Sequence, residues 1–178
     1  MTHDPGGKIT FRLKDGVAGT AQFGGSKKEY RYRLTRTWDA KKPYAMWVLM
    51  NPSTATARKD DPTVAKCRRF AEAWGYGGIA VANTFAYRCT DQKRLLEVTD
   101  PIGPDNDAHI IEMAKNAAIV VFAYGKPHRS LRSRGPVLAQ LLIEKTRIKP
   151  HILDLTKDGT PRHPLYLKET LTPVVWTL

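Results

Sequence analysis

Cysteine is scarce in this chain. Two residues, Cys67 and Cys89, in 178 cannot build a disulfide framework, and their spacing matches no metal-binding pattern. Both are expected to be reduced in a cytoplasmic protein, with Cys67 part of a helix core. No apolar run approaches the roughly 20 residues that span a bilayer. The opening MTHDPGGKIT has no basic start followed by an apolar stretch, so no secretion signal is expected. A Walker loop, a GxGxxG turn, zinc-ligand spacing and a Ser/His/Asp elbow are all missing, and His3, His109, His128 and His151 are scattered. Neither a metal nor a cofactor is therefore expected. Negative charge is also in deficit: 17 acidic residues face 29 Lys and Arg, a net charge of +12. That excess favours a polyanionic partner, DNA first, while the plainer reading is charge serving solubility. The clustering favours contact with nucleic acid: Lys27-Lys28, Arg31/Arg33/Arg36, Lys66/Arg68/Arg69 and the run KPHRSLRSR from Lys126 to Arg134. No obligate protein partner is evident.

What the chain does contain is four apolar segments, each leading into polar residues. Met46–Met50 runs into Asn51-Pro52-Ser53, Ile79–Ala82 into Asn83, Ile119–Tyr124 into Gly125-Lys126, and Ile152–Leu155 towards His163-Pro164. Helical patterns separate them. Asp61-Pro62 reads as a helix cap with proline in the first turn, and Val64, Cys67, Phe70, Ala71 and Trp74 follow at helical spacing. Further helices are expected from about Asp105 to Asn116 and from Pro136 to Lys145, with a short one around Gln92–Val98. Alternating strands and helices predict an α/β fold with three layers, α/β/α, around a central four-stranded parallel sheet. The polar residues then gather at the carboxyl ends of the strands, where open α/β sheets bind ligands.

Residues 1–44 read as a β-rich extension and 45–178 as the core of one domain. In Glu29–Trp38, alternation puts Tyr30, Tyr32 and Leu34 on one face and Arg31, Arg33 and Thr35 on the other. Lys8–Leu13 is the expected partner strand, with a turn at Gly24-Gly25, and the first few residues are expected to be mobile. TPVVWTL is a last edge strand or a tail.

Each candidate has two readings. Asn51-Pro52-Ser53 either presents polar groups to a cleft or is a turn with an Asn cap. Asn83 offers both donor and acceptor to a heterocycle edge, or it caps a strand. Gly125, with Lys126, Arg129, Arg132 and Arg134, suits a phosphate-binding turn or a solvated loop. His163 can donate to a developing anion or be structural. Leu165 and Tyr166 are either core or a wedge for a base stack. Asp61 is expected to cap the helix and Asp60 to be the freer carboxylate; either suits a base or a cation stabiliser. Phe85 and Tyr87 in the long loop after Asn83 are candidates for base contact, and Asp105, Asn106 and Asp107 for helix capping.

The phrases LMNPSTA, DDPT, CRRFAEAWGYGG, NTFAYR, DPIGPDND and HPLY resemble an uncharacterised bacterial and phage domain family, from about Tyr30 to Tyr166. In motif order the chain also resembles the uracil-DNA glycosylase superfamily. That resemblance implies a DNA glycosylase-like enzyme acting on a flipped uracil-like or modified base. By position, Asn51 would hold the attacking water, Asn83 would pair with the base and His163 would stabilise the leaving anion. Leu165 or Tyr166 would fill the vacated stack. The chain departs from the superfamily in having Leu165 where a serine follows His-Pro, and it lacks the iron–sulfur cysteines. A non-catalytic binder of unusual bases and a nucleoside or nucleotide glycosyl hydrolase or transferase are the alternatives.

Overall fold

The computed structural model describes residues 9–178. His3, Lys8 and the leading residues expected to be mobile lie outside the described residues. Among the described residues the fold is mixed α/β: a seven-stranded sheet, a separate two-stranded ribbon and three α-helices. In chain order the elements are β1 (Phe11–Arg12), β2 (Ala18–Gly24), β3 (Tyr30–Thr37), β4 (Tyr44–Leu49), β5 (Lys59–Asp60), α1 (Pro62–Ala73), β6 (Gly78–Asn83), α2 (Asn106–Asn116), β7 (Ile119–Phe122), α3 (Arg134–Thr146), β8 (Pro150–Ile152) and β9 (Val174–Val175).

The main sheet runs β2-β3-β6-β4-β7-β8-β9. The β6-β4, β4-β7 and β7-β8 pairs are parallel, whereas β2-β3, β3-β6 and β8-β9 are antiparallel. The sheet is thus mixed and wider than the expected four strands. The reason is that the amino-terminal hairpin pairs with β6 and the carboxyl-terminal strand pairs with β8.

β4 lies between two parallel partners and is buried on both faces, which is why it reads as an unbroken apolar run. Trp47 and Leu49 face α1 with Val64, Cys67, Phe70 and Ala71. Met46 and Val48 face α2 and α3, against Ile110, Met113, Leu138 and Leu142. The Trp47 ring lies 5.8 Å from Phe70 and 5.5 Å from Trp74. Asp61 caps α1 by accepting the Val64 N–H at 2.8 Å, with Pro62 in the first turn.

Two strand assignments change. The partner of β3 on its outer side is β2, not Lys8–Leu13; Phe11 and Arg12 instead pair with Asp60 and Lys59 in a separate ribbon. β3 also carries a bulge: Gln22 pairs with Arg33 and Phe23 with Arg31, leaving Tyr32 as the extra residue. A bulge reverses which face the following side chains address. Arg31 therefore shares a face with Leu34 and Arg36, and Tyr32 stacks on His109 of α2 at 4.8 Å.

Candidate functional site

The carboxyl ends of β4 and β6 are spliced together. Thr84 N–H donates to Leu49 C=O at 2.8 Å and Phe85 N–H to Met50 C=O at 2.9 Å. From behind, Asn106 Nδ2 donates to Asn83 C=O and Arg134 Nε to Thr84 C=O, both at 2.9 Å. Asn83 is thereby fixed at the end of a buried strand.

In front of this splice lies a cavity of about 550 Å³ lined by Arg31, Asn51, Asp61, Asn83 and His163, with Leu165 and Tyr166 also on its wall. A second, more open cavity of about 840 Å³ shares Asn51, His163 and Tyr166 and extends to Gly125 and Lys126. Asn51 and His163 thus line both cavities.

Each polar group is oriented by its neighbours. Asn51 Nδ2 donates to the Cys89 carbonyl at 2.6 Å, and Cys89 N–H returns a bond to Pro52 C=O at 3.0 Å. Asn51 Oδ1 has no protein partner among the described residues. His163 Nδ1 accepts the Leu165 N–H at 3.4 Å, so the neutral ring carries its proton on Nε2. Burial pushes the imidazole below its ordinary value, and the Asp61 charge opposes that shift only in part. Arg31 is fully buried. Its Nη1 donates to Ala55 C=O at 2.9 Å and its Nη2 to Asn83 Oδ1 at 3.4 Å. Desolvation pulls the guanidinium down to about 10 against the attraction of Asp61, which leaves it charged at neutral pH. One Asp61 oxygen caps α1; the other has no protein partner among the described residues.

Several candidates lie elsewhere. Asp60 is the more confined carboxylate, not the freer one: it is 3% exposed, does not line the cavity, and accepts Arg36 Nε at 2.7 Å. Phe85 and Tyr87 are core residues, packed with Cys89, Leu95 and Leu131 rather than presented to a base. Pro52 is buried, whereas Ser53 lines the cavity beside Thr90. Arg134 is buried and forms an ion pair with Asp107, so it is not a surface cation. The same pairing keeps Asp107 out of the cavity, and Asn106 supports Asn83 from behind.

Gly125 does not offer its N–H to a phosphate, because that group donates to Pro161 C=O at 3.0 Å. Glycine is needed there for another reason: φ is +72°, and a Cβ would lie 3.1 Å from His163 Cβ. Lys126 and Arg132 are exposed and share Asp158 at 3.7 and 3.6 Å. Hydrogen bonds from Thr156 and Thr160, and then these two cations, pull the Asp158 carboxyl down to about 2. Arg129 is exposed, and Tyr166 stands 80% exposed at the cavity rim.

The residue that sequence reasoning missed is Arg31, since strict alternation placed it on the solvent side. A signal was present: Arg31, Arg33 and Arg36 cannot all lie on one face of a regular strand.

Among the described residues, no group of three or more His, Cys, Asp or Glu side chains is placed to hold a metal ion. Nor is any helix long and apolar enough to cross a membrane.

The architecture defines a mixed α/β protein with a cavity, lined by both polar and apolar side chains, at the carboxyl edge of its parallel strands. The chain belongs to the family described as Protein of unknown function (DUF1643), which matches residues 31–165. No curated protein and no solved structure matches it.

Proposed function

We propose that this protein hydrolyses the N-glycosidic bond of a base flipped out of DNA into the 550 Å³ cavity. The observation that carries the proposal is that Asn51, Asn83 and His163, each following a different parallel strand, line that one space. A cavity of this size falls within the roughly 300–1,000 Å³ of small-ligand sites. Polar residues follow β4, β6, β7 and β8 in the motif order that resembles the uracil-DNA glycosylase superfamily, which supports the reading.

The groups suit the reaction. As the bond from the sugar C1′ breaks, its electron pair leaves with the base nitrogen, and His163 Nε2–H donates to the anion that forms. Asn51 Oδ1 accepts a hydrogen bond from a water, whose oxygen attacks C1′. The Asp61 carboxylate stabilises the cationic sugar and takes the water's proton. A flipped nucleotide in a closed pocket is the arrangement that base-releasing enzymes use. Tyr166 and Leu165 stand at the rim to enter the stack, with Lys126, Arg129 and Arg132 beside them for the phosphates.

Incubation with oligonucleotides carrying uracil, hypoxanthine and phage-type modified bases, followed by alkaline cleavage, will reveal abasic sites. His163→Ala and Asn51→Ala each lose about 10²–10³ in rate while DNA binding is retained. The proposal fails if no such DNA gains an abasic site.

A second reading, hydrolysis of free nucleosides or nucleotides, gains support from the internal pairing of Arg33, Arg36 and Arg134, which leaves fewer cations for DNA. It predicts small-molecule turnover with DNA affinity that is weak and insensitive to salt.

A further inference from the structure

We infer that the second cavity seats the nucleotide next to the flipped one, and that the DNA enters as a single strand. The inference rests on the reading of the first cavity as a base site and names the strandedness of its substrate.

The two cavities are neighbours along one wall. Met50, Asn51, Thr90, His163 and Tyr166 line both, so a strand with a base in the 550 Å³ cavity has its next unit beside the 840 Å³ one. The larger space has tied walls. Gln92 Nε2 donates to Lys126 C=O at 3.3 Å, and Gln92 Oε1 accepts the His128 N–H at 2.9 Å. Both ends of one amide thus join the segment after Cys89 to the loop after β7, and both segments line the cavity.

The chemistry of the wall suits a base better than a phosphate. Its ionised side chains are one carboxylate, on Asp91, and one ammonium, on Lys126, while burial keeps His163 neutral. The Gly125 N–H, which a phosphate turn would use, is taken by Pro161 C=O at 3.0 Å. With no net charge and no open turn amide, the space suits a neutral heterocycle. A phosphate alone would leave most of 840 Å³ empty, whereas small-ligand sites run to roughly 1,000 Å³. Lys126, paired loosely with Asp158 at 3.7 Å and 65% exposed, remains available to the phosphate between the two nucleotides.

Tyr166 supplies a platform. It is 80% exposed, lines both cavities and sets its ring 5.9 Å from the His163 ring. An aromatic ring open to solvent beside such a space stacks on an arriving base whatever its identity. A base in a duplex cannot take that place, because it stays stacked and its complement would have to enter with it. Only an unpaired neighbour can leave its stack and occupy the cavity.

The test is fluorescence anisotropy of the full chain with labelled oligonucleotides carrying one uracil or one hypoxanthine. Each is presented as a single strand and as a duplex, and base release is measured beside binding. Single strands are expected to bind at least about tenfold tighter, because a duplex must first give up a further base pair. Replacing the neighbouring nucleotide on one side of the target by an abasic residue should weaken single-strand binding about 5- to 150-fold, the range for one base stacked on an aromatic ring. Tyr166→Ala, at an exposed position, should cause a similar loss with unchanged melting and make the abasic replacement nearly silent.

Duplexes that bind as tightly as single strands overturn the inference, as do abasic neighbours that cost nothing on either side. So does an abasic penalty that persists undiminished in Tyr166→Ala. In each of these cases base hydrolysis is judged separately, from the abasic sites formed. Single-strand preference with the Tyr166 coupling but no base released supports the inference and overturns hydrolysis. If no oligonucleotide binds and none gains an abasic site, both fall.

Discussion

Asp60→Asn separates architecture from chemistry in the paired acidic residues. Asp60 is part of β5 in the two-stranded ribbon, with 4% of its side chain exposed; it holds Arg36 Nε at 2.7 Å, and Arg68 Nε approaches at 3.9 Å. Removing one partner of a buried ion pair costs about 3–5 kcal/mol, because the remaining charge stays buried without compensation. Arg36 keeps three carbonyl acceptors, on Thr35, Thr56 and Lys59 at 2.7, 2.6 and 3.1 Å, and asparagine keeps an oxygen near Nε. The lower end, about 3 kcal/mol, is therefore expected. For a domain of this size each kcal/mol lowers Tm by about 2–4 °C, which gives a fall of about 6–12 °C. Thermal melts followed by circular dichroism measure it, and base release per folded molecule at a temperature well below the melt should stay within about threefold of wild type. Asp61→Asn should do the reverse. Asparagine caps helices about as well as aspartate, so the fall in Tm is expected to be smaller than for Asp60→Asn and to reflect only the lost attraction for buried Arg31, while the carboxylate facing the cavity is lost and turnover falls. An Asp60→Asn protein that melts like wild type yet releases no base would refute the assignment of Asp60 to the scaffold.

Three other perturbations follow from the same geometry. Gly125→Ala forces a non-glycine residue to φ +72° and a methyl group to 3.1 Å from His163 Cβ; a loss of about 1–2 kcal/mol in chemical denaturation and about a hundredfold in base release are expected, and wild-type turnover would show that this contact does not position His163. The folded-state pKa of His163 lies below the unfolded value near 6.5, so the neutral ring is favoured by folding. Its contribution to stability is fully present above that pH and is lost as pH falls below it; NMR titration of the ring should show a midpoint under 6.5, and a midpoint above it would contradict the burial argument. Lys126→Ala and Arg132→Ala should each reduce the slope of log affinity for DNA against log salt by roughly 0.7–0.9 with no change in melting, whereas Arg134→Ala should lower Tm and leave the slope alone; equal slopes in all three would place DNA on another face.

β4, β6 and β7 were legible because burial on both faces demands continuous apolar sequence, and α1 because Asp61-Pro62 announces its start; the fourth strand, expected at Ile152–Leu155, is instead Pro150–Ile152, and Leu155 is exposed. The amino-terminal region was less so. A two-residue ribbon such as Phe11–Arg12 with Lys59–Asp60 is too short to show any period. The bulge at Tyr32 breaks the rule that made Arg31 look solvent-facing, and only the odd spacing to Arg36 betrays it. Arg134 was hidden within a basic run whose earlier members are exposed; composition cannot distinguish the cation that opens a buried helix from those before it. Gly125 stands out in the sequence between an apolar strand and a basic run, but the reason for glycine there is the approach of His163 and not a phosphate. The residue it accommodates, His163, is distant in sequence, and the close approach exists only once β7 and the segment after β8 have met.

The buried charges also bear on how such a cavity would favour a transition state. Arg31 is positive, Asp61 negative and His163 held neutral by burial, so these three groups sum to no net charge around the empty space. A neutral base meets no strong ionic attraction on entry and is recognised by shape and hydrogen bonds. In the proposed reaction, breaking the glycosidic bond would spread negative charge over the base, where His163 Nε2–H would donate to it. Positive charge develops on the sugar, within reach of Asp61. In that reaction the attraction would grow along the reaction coordinate more than on binding, which is the condition for accelerating the chemical step. A charged imidazole would tighten the grip on an anionic product instead, so the burial that keeps His163 neutral favours turnover over product retention.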